Sequence, residues 1–457
     1  MKKYSLKFWL IFWLSSALFL TGWFFYWEAK NQGLGKATSA VLNWLPLDKS
    51  KKKEYAALGT FLDAFMKKDD QEKTFLILFQ NNMEIRPGGG FIGSFGILKL
   101  KNGQIEKLET HDLSNFDARI PDTVAVPYPM KETLHIAAWK LRDSNYAPDF
   151  AENAKKAEEF YYMGKGEEKF DGVIGITTNV LTSMLKVTGP ISIEGYPGTY
   201  DNENAILALE YQVEKGFADQ GIERGERKSV MNDLAKEISK RIMNASTKEK
   251  IALADIVIED LKRKDIQLYF ADEKLENAAK EALWDGTMNA DWDKDYLMTV
   301  DANLGAYKSD YYVKRSLDYA IDLTKEKAEV KLKIAYEHTA KQKDWMTKDY
   351  LTYLRVYVPK DAWLVSQKNF DGTKFGNEFG KKFFGAIVKV PLGTSKTVEL
   401  NYLLPQFNAG ENYDLLVQKQ AGLNNVPVHV KVILPNGEIK EFSKTLDSDL
   451  KLSEIVQ

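Results

Sequence analysis

The sequence lacks cysteine, and this absence excludes disulfides, thiolate metal sites and cysteine nucleophiles. Histidine is scarce as well: the four histidines have neither the spacing of a metal pair nor an order that suggests a Ser-His-Asp triad. Positive charge is not in excess, because 63 Lys and Arg stand against 65 Asp and Glu. The formal net charge of -2 argues against nucleic acid as a partner. A zinc enzyme and a nucleic-acid-binding protein are therefore both disfavoured.

The remaining composition is that of a folded protein. Hydrophobic residues make up 44% and charged residues 28% of the 457 positions, which are ordinary globular values. At roughly 150 residues per domain, a chain of this length is expected to form two or three folded units. Wholesale disorder and a multi-span transporter are thereby excluded.

One long hydrophobic run stands near the start of the chain. Residues 8–27 carry no charge, and twenty helical residues span about 30 Å, the thickness of bilayer hydrocarbon. Lys2, Lys3 and Lys7 precede the run and favour a cytoplasmic N-terminus. A cleaved signal peptide is disfavoured, because its apolar part is usually about 7 to 15 residues long and no A-x-A site follows here. We therefore predict a cytoplasmic tail (1–7), a single transmembrane signal-anchor (8–27), a stalk (28–54) and an extracytoplasmic remainder.

Residues 55–322 have the pattern of an α/β domain with a mixed sheet. Residues 74–79 and 173–176 are continuous apolar runs, typical of strands that are buried on both faces. Helical spacing surrounds them, for example at 150–162 and 224–243. Strands buried on both faces require helices on both sides of the sheet, so we expect a layered domain.

The period changes after residue 322. Residues 329–336 and 350–358 alternate between apolar and polar positions, which predicts half-buried strands. Turn sequences separate these strands, and no helical pattern intervenes. We therefore predict an antiparallel β-sandwich at 323–457.

A glycine-rich stretch follows the first buried strand and contains the candidate ligand-binding glycines Gly88, Gly89 and Gly90. Its G-x-G-x-x-G spacing is followed by a predicted hairpin with its turn at Asn102 and Gly103, so it does not fit a dinucleotide site, which needs a helix there. No Lys-Ser or Lys-Thr pair closes the loop, which excludes a P-loop. Backbone without Cβ atoms can approach an anion or another chain segment, with Arg86 at the entrance. Glycines that only permit a tight crossover between strands are an equal alternative.

Two carboxylates and an arginine follow the predicted hairpin. Asp112 and Asp117 are candidate ligands of Mg²⁺, a cation that prefers oxygen, and Arg119 is a candidate phosphate contact. Ordinary solvated turn residues would have the same composition. Mg²⁺ is therefore a possible cofactor at this stage.

Further basic residues are candidates for phosphate binding. Arg142 belongs to a polar cluster before a predicted helix, for which Asp149 is the expected cap. Arg224 and Arg227, next to Lys228, open another helical pattern, where fixed positive charge suits a phosphate. A basic turn exposed to solvent would explain these residues nearly as well.

These motifs resemble a bacterial family known as domain of unknown function 4012. The resemblance rests on FLILFQNNMEIRPGGGFIGSFG, on NYAPDFAENA and on FDGVIGITTNVLTSMLKVTGPISI, and it continues beyond them. It implies a membrane anchor and no established activity.

A weaker resemblance is to the LytR-CpsA-Psr group of cell-envelope phosphotransferases. That group transfers anionic glycopolymers from a polyprenyl pyrophosphate carrier to peptidoglycan. The resemblance lies in the order of elements: Arg86 and the glycine loop, then residues 112–119, then Arg224 and Arg227. The group's Arg-x-Asp-Thr strand motif is missing from this chain.

Two hypotheses of function follow. The first is a cell-envelope protein that binds or transfers an anionic glycopolymer or its polyprenyl-pyrophosphate precursor, as the second resemblance implies. The alternative is a surface interaction or adhesion module without catalysis, in which the sandwich binds a partner and the α/β domain is a degenerate scaffold. Whether the chain is an enzyme stays open at this stage.

Overall fold

The computed structural model describes residues 48–68, 70–404 and 413–453. The predicted tail and anchor, as well as the stalk up to residue 47, lie outside the described residues. Within the described ranges, no helix is both long enough and apolar enough to span a membrane.

The elements follow each other as an α/β region and then a β-rich region. The helices are α1 Lys49–Met66, α2 Leu113–Phe116, α3 Met130–Leu134, α4 Phe150–Met163, α5 Asn179–Thr188, α6 Ala205–Tyr211, α7 Phe217–Asp219, α8 Ser229–Met243, α9 Thr247–Lys262 and α10 Glu273–Glu281. The strands are β1 Glu72–Asn81, β2 Phe91–Lys101, β3 Gln104–Asp112, β4 Gly172–Thr177, β5 Ile266–Phe270, β6 Asp295–Asn303, β7 Val313–Asp322, β8 Ala328–His338, β9 Tyr350–Val358, β10 Trp363–Lys368, β11 Lys374–Glu378, β12 Lys381–Val390, β13 Ser395–Leu404, β14 Leu415–Val417, β15 Val426–Ile433, β16 Ile439–Leu446 and β17 Leu450–Leu452.

The first region is built on a five-stranded mixed sheet in the order β3-β2-β1-β4-β5. β1 and β4 are parallel, and the other neighbours are antiparallel. Alternate β1 residues pack on opposite faces: Leu76 and Leu78 contact the α4 side, whereas Phe75 and Ile77 contact α1, α9 and α10. Burial on both faces explains why this strand is a continuous apolar run, and the predicted α/β character is confirmed.

Local capping places the helices that cover this sheet. Asp149 caps α4, its side chain accepting from the Glu152 backbone N–H at 3.2 Å, as we expected from the sequence. α9 begins with a capping box in which Ser246 and Glu249 exchange hydrogen bonds. α1 is capped by Asp48, so the helix starts inside the segment that we predicted as a stalk.

The second region is a sandwich of two six-stranded sheets, in the orders β10-β13-β8-β7-β15-β16 and β11-β12-β9-β6-β14-β17. Side chains from both sheets form one apolar core, in which Leu332 and Val398 of one sheet join Leu354 and Val388 of the other. The prediction of a purely antiparallel sandwich is wrong in one respect, because β6 pairs with β14 and β7 with β15 in parallel. β6 and β7 also precede residue 323, so strands from the predicted α/β range belong to the sandwich sheets.

Candidate functional site

The glycine loop lies between the two regions of the molecule and is buried. Gly88 donates its N–H to the Asn145 carbonyl at 3.0 Å, and the Gly90 carbonyl accepts from the Asn145 side chain at 2.5 Å. A Cβ added to Gly422 would stand 1.9 Å from the Gly89 carbonyl oxygen. The glycines therefore let a segment of the sandwich region approach the loop, which was one of the two uses expected of a loop without Cβ atoms.

Arg86, which we predicted as a phosphate contact, is 2% exposed and fully engaged within the protein. Its Nε donates to Asp143 at 3.0 Å and one terminal nitrogen donates to Glu84 at 2.9 Å. Its other terminal nitrogen donates to the carbonyl of Asn303, at the end of β6, at 3.0 Å. The geometry therefore corrects the predicted role: Arg86 ties the α/β region to the sandwich and does not face a ligand.

Arg142 and Asp117 form an ion pair with each other. The Arg142 Nε lies 2.5 Å from an Asp117 carboxylate oxygen, and burial raises the pKa of Asp117. Arg119 lies nearby with its guanidinium 4.7 Å from the centre of the Phe116 ring and donates to the Lys165 carbonyl at 3.0 Å. Of these residues, Arg119 is exposed and remains accessible to a ligand.

The two candidate metal ligands do not form a cation site. Asp112 pairs with Lys228 at 2.9 Å and caps α2, while Asp117 is held by Arg142. No cluster of three or more metal-ligating side chains occurs in the described part of the chain. The residues present therefore do not fit Mg²⁺, which needs several free oxygen ligands.

The two arginines near the start of α8, Arg224 and Arg227, have different surroundings. Arg227 lies 3.6 Å from Glu214, whereas Arg224 is exposed on a short turn. Their neighbour Lys228 points inward: its ammonium donates to the Gly93 carbonyl at 2.7 Å and pairs with Asp112. The basic turn predicted from the sequence thus contributes one inward-facing cation.

Lys228 lines a half-open cleft of about 730 Å³ between the β2–β3 hairpin and the start of α8. One wall comes from the hairpin and α2, and the other from residues 225–235. The lining combines apolar and polar side chains, namely Phe79, Ser94, Leu108, Thr110, His111, Asp112, Asn115, Phe116, Arg119, Glu226, Lys228, Ser229, Met231, Asn232 and Ala235, with the backbone of Gly225. The predicted residues Asp112 and Arg119 therefore meet here, together with His111 and Lys228.

Electrostatics in this cleft are shaped by partial burial. Desolvation lowers the pKa of Lys228 and also that of His111. Burial opposes ionisation of Asp112, but the hydrogen bonds from Lys228 and from the Ser114 N–H outweigh it and lower the pKa of Asp112. His111 stacks on Phe95 with the ring centres 4.8 Å apart. Its Nε2 is buried and has no hydrogen-bond partner among the described residues, so the imidazole has a donor or acceptor to offer.

Sequence reasoning noted His111 and Lys228 but did not select them. The signal for His111 was its position one residue before Asp112 at the end of a strand. For Lys228, the sequence predicted a basic turn. It did not show which basic side chain would be buried, because this depends on where α8 begins. Met231 and Asn232 were missed because they belong to a regular helix without a motif.

Comparison with known proteins identifies part of the chain. Residues 70–213 match the model of the family described as Protein of unknown function (DUF4012). The expected resemblance to this family is thereby confirmed over that segment. The DUF4012 segment contains the glycine loop, the β2–β3 hairpin and α2, and therefore one wall of the cleft; the other wall, with Lys228, lies beyond it. None of the curated proteins matches the chain.

The chain has only a distant likeness to solved structures. A candidate nutrient-binding protein from Legionella pneumophila is 10% identical with a TM-score of 0.24, covering 31% of this chain and 66% of its own. The Lin1025 protein from Listeria innocua is 13% identical with a TM-score of 0.27, covering 47% of this chain and 79% of its own. Aminopeptidase A from Legionella pneumophila is 17% identical with a TM-score of 0.18, covering 29% and 17%, respectively.

Proposed function

We propose that the cleft binds a phosphate-bearing lipid or glycopolymer precursor of the cell envelope, such as a polyprenyl pyrophosphate. The protein acts there as a single-pass, extracytoplasmic binding protein, anchored by residues 8–27. The observation that carries this proposal is a desolvated cation within apolar walls: Lys228 lies beside Leu108 and Met231 in one cleft. Such a cleft suits a ligand that is anionic at one end and apolar at the other.

The donors around Lys228 favour a phosphate. An ammonium group has three N–H donors, and Asp112 and the Gly93 carbonyl occupy two of those of Lys228. The third is available to a phosphate oxygen. The exposed Arg119 lines the same cleft and supplies further donors.

The proposal is one of binding, and it includes no phosphoryl transfer. Envelope phosphotransferases of the LytR-CpsA-Psr type imply a divalent cation, and the acidic side chains here are already paired with Lys228 and Arg142. The predicted phosphate contacts Arg86 and Arg142 are likewise engaged within the protein. Arg119 is the predicted arginine that keeps a place in the proposal.

Replacing Lys228 tests the proposal. We expect Lys228→Gln to weaken the binding of farnesyl pyrophosphate about tenfold or more, because a charge-assisted hydrogen bond contributes about 1.5–3 kcal/mol and about 1.4 kcal/mol corresponds to a factor of ten. Isothermal titration calorimetry on the full chain measures the affinity. Lys236→Gln is the matched control, since Lys236 lies on the same helix with its side chain 79% exposed and outside the cleft.

An unchanged affinity in Lys228→Gln would refute the proposed site. Inorganic pyrophosphate serves as a second probe for the apolar walls: we expect it to bind more weakly than farnesyl pyrophosphate, and equal affinities would refute the role of Leu108 and Met231. Thermal melting of each variant separates loss of binding from loss of folding.

A second candidate function is an interaction module at the open edge of the sandwich. Trp363 on β10 is 70% exposed and Phe375 on β11 is 63% exposed, and each strand ends its sheet. Exposed aromatic rings are typical of surfaces that bind proteins or glycans. Loss of binding to a purified envelope glycopolymer in Trp363→Ala, with Lys228→Gln unaffected, would favour this function over the cleft.

A further inference from the structure

A β-bulge in the β2–β3 hairpin aligns two exposed apolar side chains. Leu98 pairs with Leu108 and Leu100 pairs with Ile105, with a register shift between Lys99 and Leu100. Leu98 and Leu100 are two residues apart and therefore share a face of the sheet, so their partners Ile105 and Leu108 share that face as well. Without the bulge, residues three apart on a strand would point to opposite faces. Ile105 is 61% exposed and Leu108 is 43% exposed.

Helix α1 continues this apolar surface. Tyr55, Leu62 and Met66 are 39%, 40% and 58% exposed, and their spacing of seven and four residues places them on one side of the helix. Met66 adjoins the hairpin turn, since a Cβ added to Gly103 would lie 3.3 Å from the Met66 Cα. The exposed apolar residues of α1 therefore lead into the hairpin.

We name these five side chains the apolar strip: Tyr55, Leu62, Met66, Ile105 and Leu108. The strip ends at the cleft, because Leu108 lines it. It thus joins one end of α1 to the proposed ligand site by an exposed apolar path.

Positive charge lies at the other end of the strip. Lys51 is exposed in the first turns of α1 and lies one turn before Tyr55 on the same side of the helix, whereas Lys49 and Lys53 are exposed on the other side. The first turn contains no acidic residue. Cations at a helix N-terminus oppose the helix dipole, so local helix stability does not account for Lys51, and a cation beside exposed apolar side chains suits a negatively charged lipid surface.

The chain also brings this helix close to the predicted anchor. Residues 28–47 are all that separates the predicted span from Asp48, the cap of α1. Helix α1 is therefore the first described element that follows the predicted anchor along the chain.

We propose that the apolar strip lies on the membrane surface, with Lys51 against anionic headgroups. An apolar lipid chain then passes along Ile105 and Leu108 into the cleft without crossing water. The use of the path rests on ligand binding in the cleft, and the contact with the bilayer rests on the anchor at residues 8–27, which is also part of the proposed function.

Absence of native cysteine allows a direct test with single-cysteine variants. The full chain, labelled with bimane at Ile105→Cys, is incorporated into vesicles of phosphatidylglycerol and phosphatidylcholine that contain doxyl-labelled lipid. Ile439→Cys is the control, because Ile439 is 51% exposed on β16, in the sandwich. We expect lipid to quench the label at 105 about threefold or more strongly than the label at 439. Equal quenching at the two sites would overturn the proposal.

A charge variant tests the lysines. In phosphatidylglycerol vesicles, we expect Lys51→Gln to lower quenching at position 105 about twofold or more, and salt at about 1 M to lower it in the parent protein as well. Lys53→Gln, on the other side of α1, is the matched control. Unchanged quenching in Lys51→Gln and at high salt would overturn the role of Lys51. Circular dichroism verifies that α1 still forms.

The outcome is separable from that of the ligand experiment. Lys228→Gln should leave quenching at position 105 unchanged, since Lys228 belongs to the cleft and not to the strip. An unchanged affinity for farnesyl pyrophosphate in Lys228→Gln, with quenching at position 105 retained, would overturn the proposed function alone. Retained binding in the cleft with equal quenching at 105 and 439 would overturn the membrane contact alone.

Discussion

The two regions of the molecule differ in what their sheets leave uncovered. In the sandwich, β8 alternates strictly between buried and more exposed positions, and its buried side chains join one core with the facing sheet. In the α/β region, β3 exposes nearly every side chain and forms an open edge. The two sandwich sheets cover each other's inner faces and are exposed at edge strands such as β10, whereas the edge strand β3 of the smaller sheet lines the candidate cleft.

This difference places the candidate site. The cleft is built at the open edge, where the β2–β3 hairpin meets α8, and not within the sandwich. The closed region supplies a rigid support, to which the α/β region is fixed through Arg86 and the Gly89–Gly422 contact. Polar side chains that would be costly inside the sandwich remain partly solvated in the cleft.

Removing Arg86 should remove its ion pairs and its hydrogen bond to Asn303, and so weaken the contact between the two regions. We expect Arg86→Ala to lower the free energy of unfolding by about 3–5 kcal/mol, because it leaves the buried carboxylates of Glu84 and Asp143 without their cation. Urea unfolding followed by circular dichroism measures the loss.

Arg224→Ala is the control for this change, because Arg224 is exposed and substitution there should alter stability by no more than about 0.5 kcal/mol. Similar losses in the two variants would contradict the structural role of Arg86.

A pH titration compares buried carboxyls in the two regions. In the sandwich core, Asp295 accepts hydrogen bonds from Tyr319 and Tyr413, yet burial raises its pKa from 3.8 to about 6. The folded state therefore holds the proton more tightly, so this contribution to stability is largest at low pH and is lost as the pH rises from 3.8 to about 6. In the α/β region, burial raises the pKa of Asp260 to about 6 as well.

We expect Asp295→Asn to reduce the fall in stability over this pH range, by up to about 1.4 kcal/mol per pH unit. Denaturant unfolding at a series of pH values measures it. Asp260→Asn should remove a similar share, since burial raises the pKa of Asp260 from the same ordinary value to about 6 as well. An unchanged pH profile in Asp295→Asn would show that its carboxyl is not the titrating group.

The smallest expected effect concerns a helix start in the α/β region alone. Ser246→Ala removes the capping box of α9 and should cost about 1 kcal/mol. Ser239→Ala is the matched control, because Ser239 is half-buried within α8, where its hydroxyl bonds only the Ala235 carbonyl, and alanine favours a helix interior. Equal melting temperatures for the two variants would contradict a stabilising role of the cap.

Strong local patterns made much of the fold predictable. The continuous apolar runs became β1 and β4, the Asn102-Gly103 turn joins β2 to β3, and Asp149 caps α4. Each of these features depends on residues close together in sequence. The alternating strands of the sandwich were predictable for the same reason.

Pairing between distant segments was not predictable. The parallel pairing of β6 with β14 joins strands that are separated by more than a hundred residues, and no short pattern encodes it. The candidate site shows the same limit. Arg86 and Lys228 are both basic residues beside glycines in the sequence, but tertiary packing gives Arg86 to an internal ion-pair network and Lys228 to the cleft.

The two parallel pairs of the sandwich also govern the order in which the polypeptide can acquire its structure. β6 pairs with β14, and β7 pairs with β15. Both sheets therefore stay incomplete until β14 and β15 have left the ribosome. Contacts between residues so distant along the chain slow folding, because closing a long loop costs entropy before the strand pairing can stabilise the structure. A nascent chain that stalls before residue 415 would therefore lack β14 and β15. In such a chain, β6 and β7 would each keep one unpaired edge.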